Sequence, residues 1–470
     1  MVLPKIIQGG MGVGVSSWRL ARAVSSVGQL GVVSGTALDQ VMARRLQDGD
    51  PGGHNRRAFD HFPFPAMAKR VWDKFYIPGG KAPDQSYIRT PQHRKDNPRE
   101  LQEYCIVGNF VEVFLAKEGH SNPVGINYLE KIQIPHLPSA YGAMLAGVDV
   151  VIMGAGIPVR LPGVLDALAR NEAATYPLYV VGAGPDDDTL MHFDPRDYIE
   201  GEAPALTRPL CLPIIASNTL AVTLLKKSNG RVDGFVIEGP TAGGHNAPPR
   251  GKMQLDANGE PIYGERDVVD LAKMRELGVP FWLAGGFGSA EKLNEALATG
   301  AAGIQVGTPF AFCEESGLMD GYKQAVLQSD PKLRTDPVAS PTGFPFKVVQ
   351  LENTVSHAPT YSERPRICDL GYLREAYKTP EGEIGFRCAG EPVTVFEAKG
   401  GNPEDTTGRL CLCNGLMANI GHGQVRAAGR HHEPGLITAG DDVATVKRFL
   451  KPGQTSYTAA DVIQTLLGGA

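Results

Sequence analysis

A chain of 470 residues, 42% hydrophobic and 21% charged, is long enough for a barrel of about 250 residues with additions, and it can fill an ordinary packed core. Its net charge of −5 gives no electrostatic grip on nucleic acid, and no stretch approaches the roughly 20 apolar residues of a membrane span, so neither partner is expected. The opening MVLPKIIQGG lacks the apolar run of a secretory signal, and seven scattered cysteines suit a reducing compartment, so the expected location is cytoplasmic.

Short apolar runs recur along the chain, at 5–7, 30–33, 124–127, 148–153, 178–181, 212–216, 234–237, 281–284 and 303–306. They are continuous rather than alternating, the pattern of strands buried on both faces of a parallel sheet. Helix-like stretches at 17–27, 220–227, 268–277 and 290–299 follow several of them, so strands and helices alternate. The fold class predicted is α/β, a (β/α)8 TIM barrel. Nine runs compete for eight positions; 178–181 is taken as the surplus, because the polar excursion 185–208 follows it. Two regions break the rhythm. Residues 36–122 form a large insertion after the second strand, rich in aromatics and in Arg pairs, read either as a lid or substrate wall or as a helical insertion packed on the barrel. Residues 331–470 form a C-terminal extension with four of the seven cysteines, a hairpin around 380–382 and a last helix starting near Thr458. The barrel is thus assigned to 1–330.

The most informative segment is 283–312, which reads strand, glycine turn, helix, strand, glycine turn, with Ser289 placed to cap the helix. Gly285-Gly286 and Gly307-Thr308 end the last two strands, where a parallel barrel builds a phosphate site from free N–H groups. The turn 8–15 (QGGMGVGV) after the first strand lets backbone lie against a ring or phosphate, though it does not spell a Rossmann fingerprint. In 238–249 (EGPTAGGHNAPP), Gly243-Gly244 allow a sharp turn that presents His245 at the barrel mouth as a general base or acid. Asn127 at a strand end offers a donor and an acceptor to a ring edge, and Ser217 and Asn218 stand in a similar position. His245 has no partner at metal-ligand spacing. Cys368, Cys388, Cys411 and Cys413 would suit zinc or an iron–sulfur cluster only with non-standard spacing, so they are read first as buried thiols and no metal ligands are assigned. No nucleophile elbow, Walker A loop or H-E-x-x-H occurs.

Taken together, the segments IIQGGMG, PVGIN at 123–127, VDVVIMGAGIP at 148–158, LPIIASNTLA at 212–221, VDGFVIEGPTAGGH at 232–245 and the 283–310 stretch resemble the nitronate monooxygenase (2-nitropropane dioxygenase) family of FMN barrels, which includes FMN-dependent enoyl-acyl-carrier-protein reductases. The resemblance implies FMN as cofactor. Gly10, Met11 and Gly12 would then lie against the flavin, Asn127 at its edge with Ser217 as a further cofactor-binding candidate, and Glu238, Gly243 and Gly244 along its side. Gly285, Gly286, Gln305, Gly307 and Thr308 would hold the phosphate, and His245 would be catalytic. It further implies oxidation of alkyl nitronates with O2 to carbonyl compounds and nitrite. The alternative is NAD(P)H-dependent reduction of an enoyl thioester or quinone at the same site. A non-catalytic flavin-binding scaffold is a third possibility, disfavoured by His245 and the intact glycines. A small-molecule substrate and a homo-oligomer are expected. The chain departs from the family at Thr241, where many members have Glu, in the Asn246-Ala247-Pro248-Pro249 run with its polar hairpin around 256–259, and in the insertion and extension; these changes fall on the substrate side.

Overall fold

The computed structural model describes residues 4–426 and 429–468. Its centre is a ring of eight short strands: β1 (Ile6–Gln8), β2 (Gly31–Ser34), β3 (Val124–Leu129), β4 (Val150–Gly154), β5 (Leu210–Ile215), β6 (Phe235–Glu238), β7 (Phe281–Ala284) and β8 (Gly303–Val306). They pair in the order β1-β8-β7-β6-β5-β4-β3-β2, all parallel. Gln8 N–H donates to the Leu30 carbonyl (2.9 Å) and Leu30 N–H to the Ile6 carbonyl (3.1 Å), which closes the ring between β1 and β2. Side chains alternate along each strand. Ile7, Val32, Ile152, Leu212, Val236 and Trp282 form one buried cluster, while Ile6, Phe235, Phe281, Leu283 and Ile304 join a second one shared with helices. This is the filled barrel with an outer helical layer that the sequence predicts. The surplus run does lie outside it: Val180–Val181 pairs with Glu375–Lys378 of the extension.

A helix follows every strand: α1 (Trp18–Ser26), α2 (Arg99–Lys117), α3 (His136–Leu145), α4 (Leu161–Ala169), α5 (Asn218–Lys227), α6 (Leu271–Glu276), α7 (Ala290–Ala298) and α8 (Asp320–Gln328). Local chemistry starts several of them. Ser217 Oγ accepts the Leu220 N–H (3.2 Å), Asp270 Oδ1 those of Ala272 (3.1 Å) and Lys273 (3.2 Å), and Ser289 Oγ that of Lys292 (3.2 Å).

The insertion is helical. Its helices Leu38–Gln47, His54–Phe59 and Pro65–Phe75 lead into α2, and its aromatics Phe59, Phe62, Phe64 and Phe75 are buried together with Phe110 and the strand residue Ile126. Two of its arginines are neutralised within the protein, Arg45 by Glu112 and Arg57 by Glu118, each at 2.6 Å.

The extension wraps over the barrel mouth. Its hairpin Lys332–Asp336 and Phe346–Gln350 takes Gly244–His245 as a third, antiparallel strand. A second hairpin, Glu375–Lys378 with Ile384–Arg387, turns where the sequence places one. The last helix, Ala459–Leu466, begins at a capping box in which Thr458 and Asp461 bond each other's backbone.

Candidate active site

The carboxyl ends of the strands surround one cavity, the usual location of a barrel's site. One wall is the glycine-rich turn after β1, which is held from below. Gln8 Oε1 accepts the Val32 N–H (3.0 Å) and Gln8 Nε2 donates to Ser16 Oγ (2.8 Å). Ser16 Oγ also accepts the Met11 N–H and donates to the Gly9 carbonyl, both at 2.9 Å. The turn then presses on β3: a Cβ at Gly10 would stand 2.3 Å from Asn127 Cβ, so only glycine fits beside that amide.

Opposite, the turns after β7 and β8 form a second wall. Gly285 (φ +85°) and Gly286 (φ +72°) adopt left-handed backbone that favours glycine. Thr308 opens a short helical turn after Gly307, and its Oγ1 accepts the Gly440 N–H of the extension (2.8 Å). No lysine or arginine among the described residues lines the cavity, so an anion here is received by main-chain amides. Two acids line it. Burial pushes the Glu238 carboxyl up to about 7 and raises that of Asp442.

His245 faces the cavity from the strand it shares with the extension. Its Nε2 lies 2.7 Å from Ser340 Oγ, which is itself 2.8 Å from Thr342 Oγ1 and accepts the Thr342 N–H (3.2 Å). Phe346 packs edge-on to the imidazole at 4.6 Å between ring centroids. Burial lowers its pKa from 6.5 to about 4, so the ring is neutral at physiological pH.

The cavity gathers Gly10, Met11, Gly12, Asn127, Glu238, Gly243, Gly244, His245, Gly285, Gly286, Gln305, Gly307 and Thr308, residues far apart in the chain. Ser217 is the exception. It does not line the cavity; its hydroxyl is spent on the cap of α5, and Ile214 of β5 lines the space instead. Of the two readings of the insertion, the geometry resembles a helical insertion packed on the barrel: of residues 36–122, only Thr36 and Ala37 line the cavity, and Phe59, Phe62, Phe64 and Phe75 lie in the helical core. The outer wall comes from the extension, with Phe346, Leu370, Tyr372, Leu373, Leu416 and Ile437 among its lining. Sequence reasoning missed these residues, and no local motif marks them.

A flavin mononucleotide needs a flat backbone face, hydrogen-bonding partners for its ring edge and N–H groups for its phosphate. The glycine turn beside Asn127 and the two glycine turns after β7 and β8 supply these features. A further observation supports the fit. Gln305 Oε1 is buried with no hydrogen-bond partner in the protein, an acceptor that a flavin ring N–H would satisfy.

Fold and site therefore define an α/β barrel whose cavity at the strand carboxyl ends is lined by three glycine turns and His245. Residues 205–342 match the nitronate monooxygenase family. The probable nitronate monooxygenase of Bacillus subtilis is 34% identical over 128 residues, 27% of this chain and 35% of that protein. The (3aS,4S,5R,7aS)-5-hydroxy-7a-methyl-1-oxo-octahydro-1H-indene-4-carboxyl-CoA dehydrogenase of Mycobacterium tuberculosis is 30% identical over 122 residues, 26% of this chain and 30% of that protein. The matches span well under half the length of these curated relatives. The nitroalkane oxidase of Streptomyces ansochromogenes has the same fold, with a TM-score of 0.50 at 15% identity, covering 99% of this chain and 95% of that one. The likeness to nitronate monooxygenases thus rests on residues 205–342, which contain β5 to β8 and His245.

Proposed function

We propose that the protein is an FMN-dependent oxidoreductase that converts alkyl nitronates and O2 to carbonyl compounds and nitrite. The observation that carries this reading is His245: a neutral imidazole lining the cavity, its Nε2 held by Ser340 and its ring held by Phe346. FMN, when bound, supplies the electron-transfer chemistry. The residues of this chain do the rest. With Nε2–H donating to Ser340, the lone pair on Nδ1 is free to take the proton from the carbon that bears a nitro group, or, once protonated, the ring can hold the resulting nitronate anion. Gln305 and Asn127 orient the ring edge, and Gly285, Gly286, Gly307 and Thr308 receive the phosphate. The apolar side chains Leu370, Leu373, Leu416 and Ile437 limit water and favour an alkyl substrate.

A second reading, NAD(P)H-dependent reduction of an enoyl thioester, is favoured by the similarity to a carboxyl-CoA dehydrogenase. In that case His245 would protonate the enolate carbon. Anaerobic stopped-flow spectra of the FMN-loaded protein separate the two. Bleaching by a nitronate faster than by NADH or NADPH is the expected result, and the reverse order would sink the monooxygenase reading. His245→Ala should keep FMN and lose about 10²-fold or more in turnover; a loss under about threefold would remove the histidine from the mechanism.

A further inference from the structure

The extension carries four cysteines that the mechanism leaves unused, and the fold gathers them. Three stretches meet beside the cavity wall: the loop of Cys368, the end of the strand Ile384–Arg387 at Cys388, and the start of the helix Leu412–Ala418, capped by Cys411. Cys411 Sγ lies 3.9 Å from the Ile367 carbonyl, and Asn414 Nδ2 donates to the same carbonyl at 3.2 Å, which ties the loop of Cys368 to that of Cys411 and Cys413. A Cβ at Gly390 would stand 3.6 Å from Cys388 Sγ and 3.3 Å from the Leu410 carbonyl, which places the Cys388 loop against the same turn. Cys413 is within electrostatic reach of Cys411, Cys368 and Cys388, so the four sulfurs form one cluster.

Backbone N–H groups lie near the sulfurs: Gly390 donates to Cys388 (3.4 Å), and Gly371, Asn414 and Leu373 face Cys368, Cys411 and Cys413. Gln92 Nε2 adds a side-chain contact to Cys368 at 3.8 Å. A neutral thiol accepts such bonds weakly, whereas a metal-bound thiolate accepts them well, and N–H groups around sulfur tune iron–sulfur centres. Two guanidinium groups face the cluster, Arg374 toward Cys368, Cys388 and Cys413, and Arg364 toward Cys411. Arg364 is paired with Glu433 at 2.5 Å, while Arg374 donates to the carbonyls of Gly371 and His93. A metal bound here would displace the thiol protons.

The spacing decides which metal. Among the described residues, the one group of three potential ligands whose donor atoms all lie within 4.8 Å of one another is Asp39, His93 and Cys105. No three of the four sulfurs therefore all lie within that distance of one another, whereas Zn–S bonds of about 2.3 Å in a tetrahedron bring every pair to roughly 3.8 Å. A cubane of iron and sulfide holds its thiolates farther apart.

We propose that Cys368, Cys388, Cys411 and Cys413 ligate a [4Fe–4S] cluster at the wall of the cavity, with Cys413 common to both. The cluster ties three segments of the extension to one another, independently of what fills the cavity.

The full chain, purified anaerobically and reconstituted with ferrous iron and sulfide, should contain about four iron and about four acid-labile sulfide, and should give the electron paramagnetic resonance signal of a reduced cluster after dithionite. Cys388→Ala and Cys411→Ala should each lose most of the iron, while Cys211→Ala, buried in β5, should keep it. Less than about a tenth of that iron after reconstitution would overturn the proposal, as would one zinc without sulfide, or full iron in both variants. If the variants fail to fold, the iron, sulfide and resonance measurements on the unaltered chain still decide. Flavin is assayed separately, so an iron-loaded chain without flavin would fail the proposed function and leave the cluster standing.

Discussion

Gly10→Ala tests the contact on which the flavin face depends. Gly10 is not in the left-handed region, so alanine meets no backbone penalty there and the effect is purely one of contact. The new methyl would lie 2.3 Å from Asn127 Cβ and 3.1 Å from its Cγ. Carbon atoms at ease sit about 3.5–4.0 Å apart, so the turn or the amide must move by more than about an ångström. Asn127 cannot swing away at Cβ, because that atom is fixed to strand β3 between β2 and β4. Overpacking of this kind costs about 1–3 kcal/mol, or roughly 5- to 150-fold in a binding constant. FMN titration, followed by quenching of flavin fluorescence, should show that rise in Kd together with a lower melting temperature of the FMN-free protein. The double variant Gly10→Ala/Asn127→Gly removes the clash, and should recover the melting temperature without recovering the FMN affinity, since the ring-edge amide is gone. A single variant with Kd within about twofold of the parent and unchanged melting would refute the close approach; recovery of both in the double variant would refute the role of the amide.

Ser340→Ala removes the 2.7 Å partner of His245; turnover should fall roughly 2- to 10-fold, the worth of one such hydrogen bond, with FMN content intact, and an unchanged rate and pH profile would count against the orientation argued above. His136 is buried with its Nε2 on the Leu129 carbonyl (3.1 Å) and its pKa lowered by burial from 6.5 to about 4. The unfolded chain therefore binds a proton that the native chain refuses, and stability should fall by about 3 kcal/mol as pH drops from 6.5 to 4. Urea unfolding across that range checks it: His136→Gln should flatten the slope by about one proton, and an undiminished slope would exclude His136 as its source. Glu238 works in the opposite sense. Its carboxyl, raised by burial from 4.5 to about 7, keeps a proton that the unfolded chain releases, so its contribution to stability declines as pH rises from 4.5 through 7. FMN affinity should weaken above pH 7 as a second negative charge enters the cavity, Glu238→Gln should remove that dependence, and equal pH dependence in both proteins would refute it.

The barrel was legible because its strands are buried on both faces. Continuous apolar runs leave little choice of element, and β7 and β8 begin and end where the runs do, apart from Pro280 beside the first. The glycine turns were legible because a strand end, a glycine pair and a cap occur within a few residues. Ser217 shows the limit of that reasoning. A serine after a strand is equally a helix cap, and the Leu220 N–H claims its hydroxyl. The aromatics of the insertion looked like a wall by composition, yet Phe62 packs on Phe110 and Phe64 on Phe62 within the helical core. The true wall was illegible for a physical reason. The bond from His245 to Ser340 spans 95 residues and that from Thr308 to Gly440 spans 132, so no local periodicity or spacing records them.

These long-range bonds converge on one loop. Asp441 N–H donates to the Thr241 carbonyl (3.0 Å), and the buried Lys347 Nζ bridges the Pro240 carbonyl (2.8 Å) and Asp441 Oδ1 (2.6 Å). A Cβ at Gly243 would stand 2.5 Å from the Ala439 carbonyl carbon, so the loop packs against the extension at backbone distance. The same loop reaches toward the phosphate end, where Thr241 Oγ1 would be 2.9 Å from a Cβ on Gly285. The loop that carries His245 is thus held between the glycine turn after β7 and the extension. The barrel supplies the glycine turns of the cavity, while the position of His245 and much of the apolar lining depend on residues 340–442 folding against it.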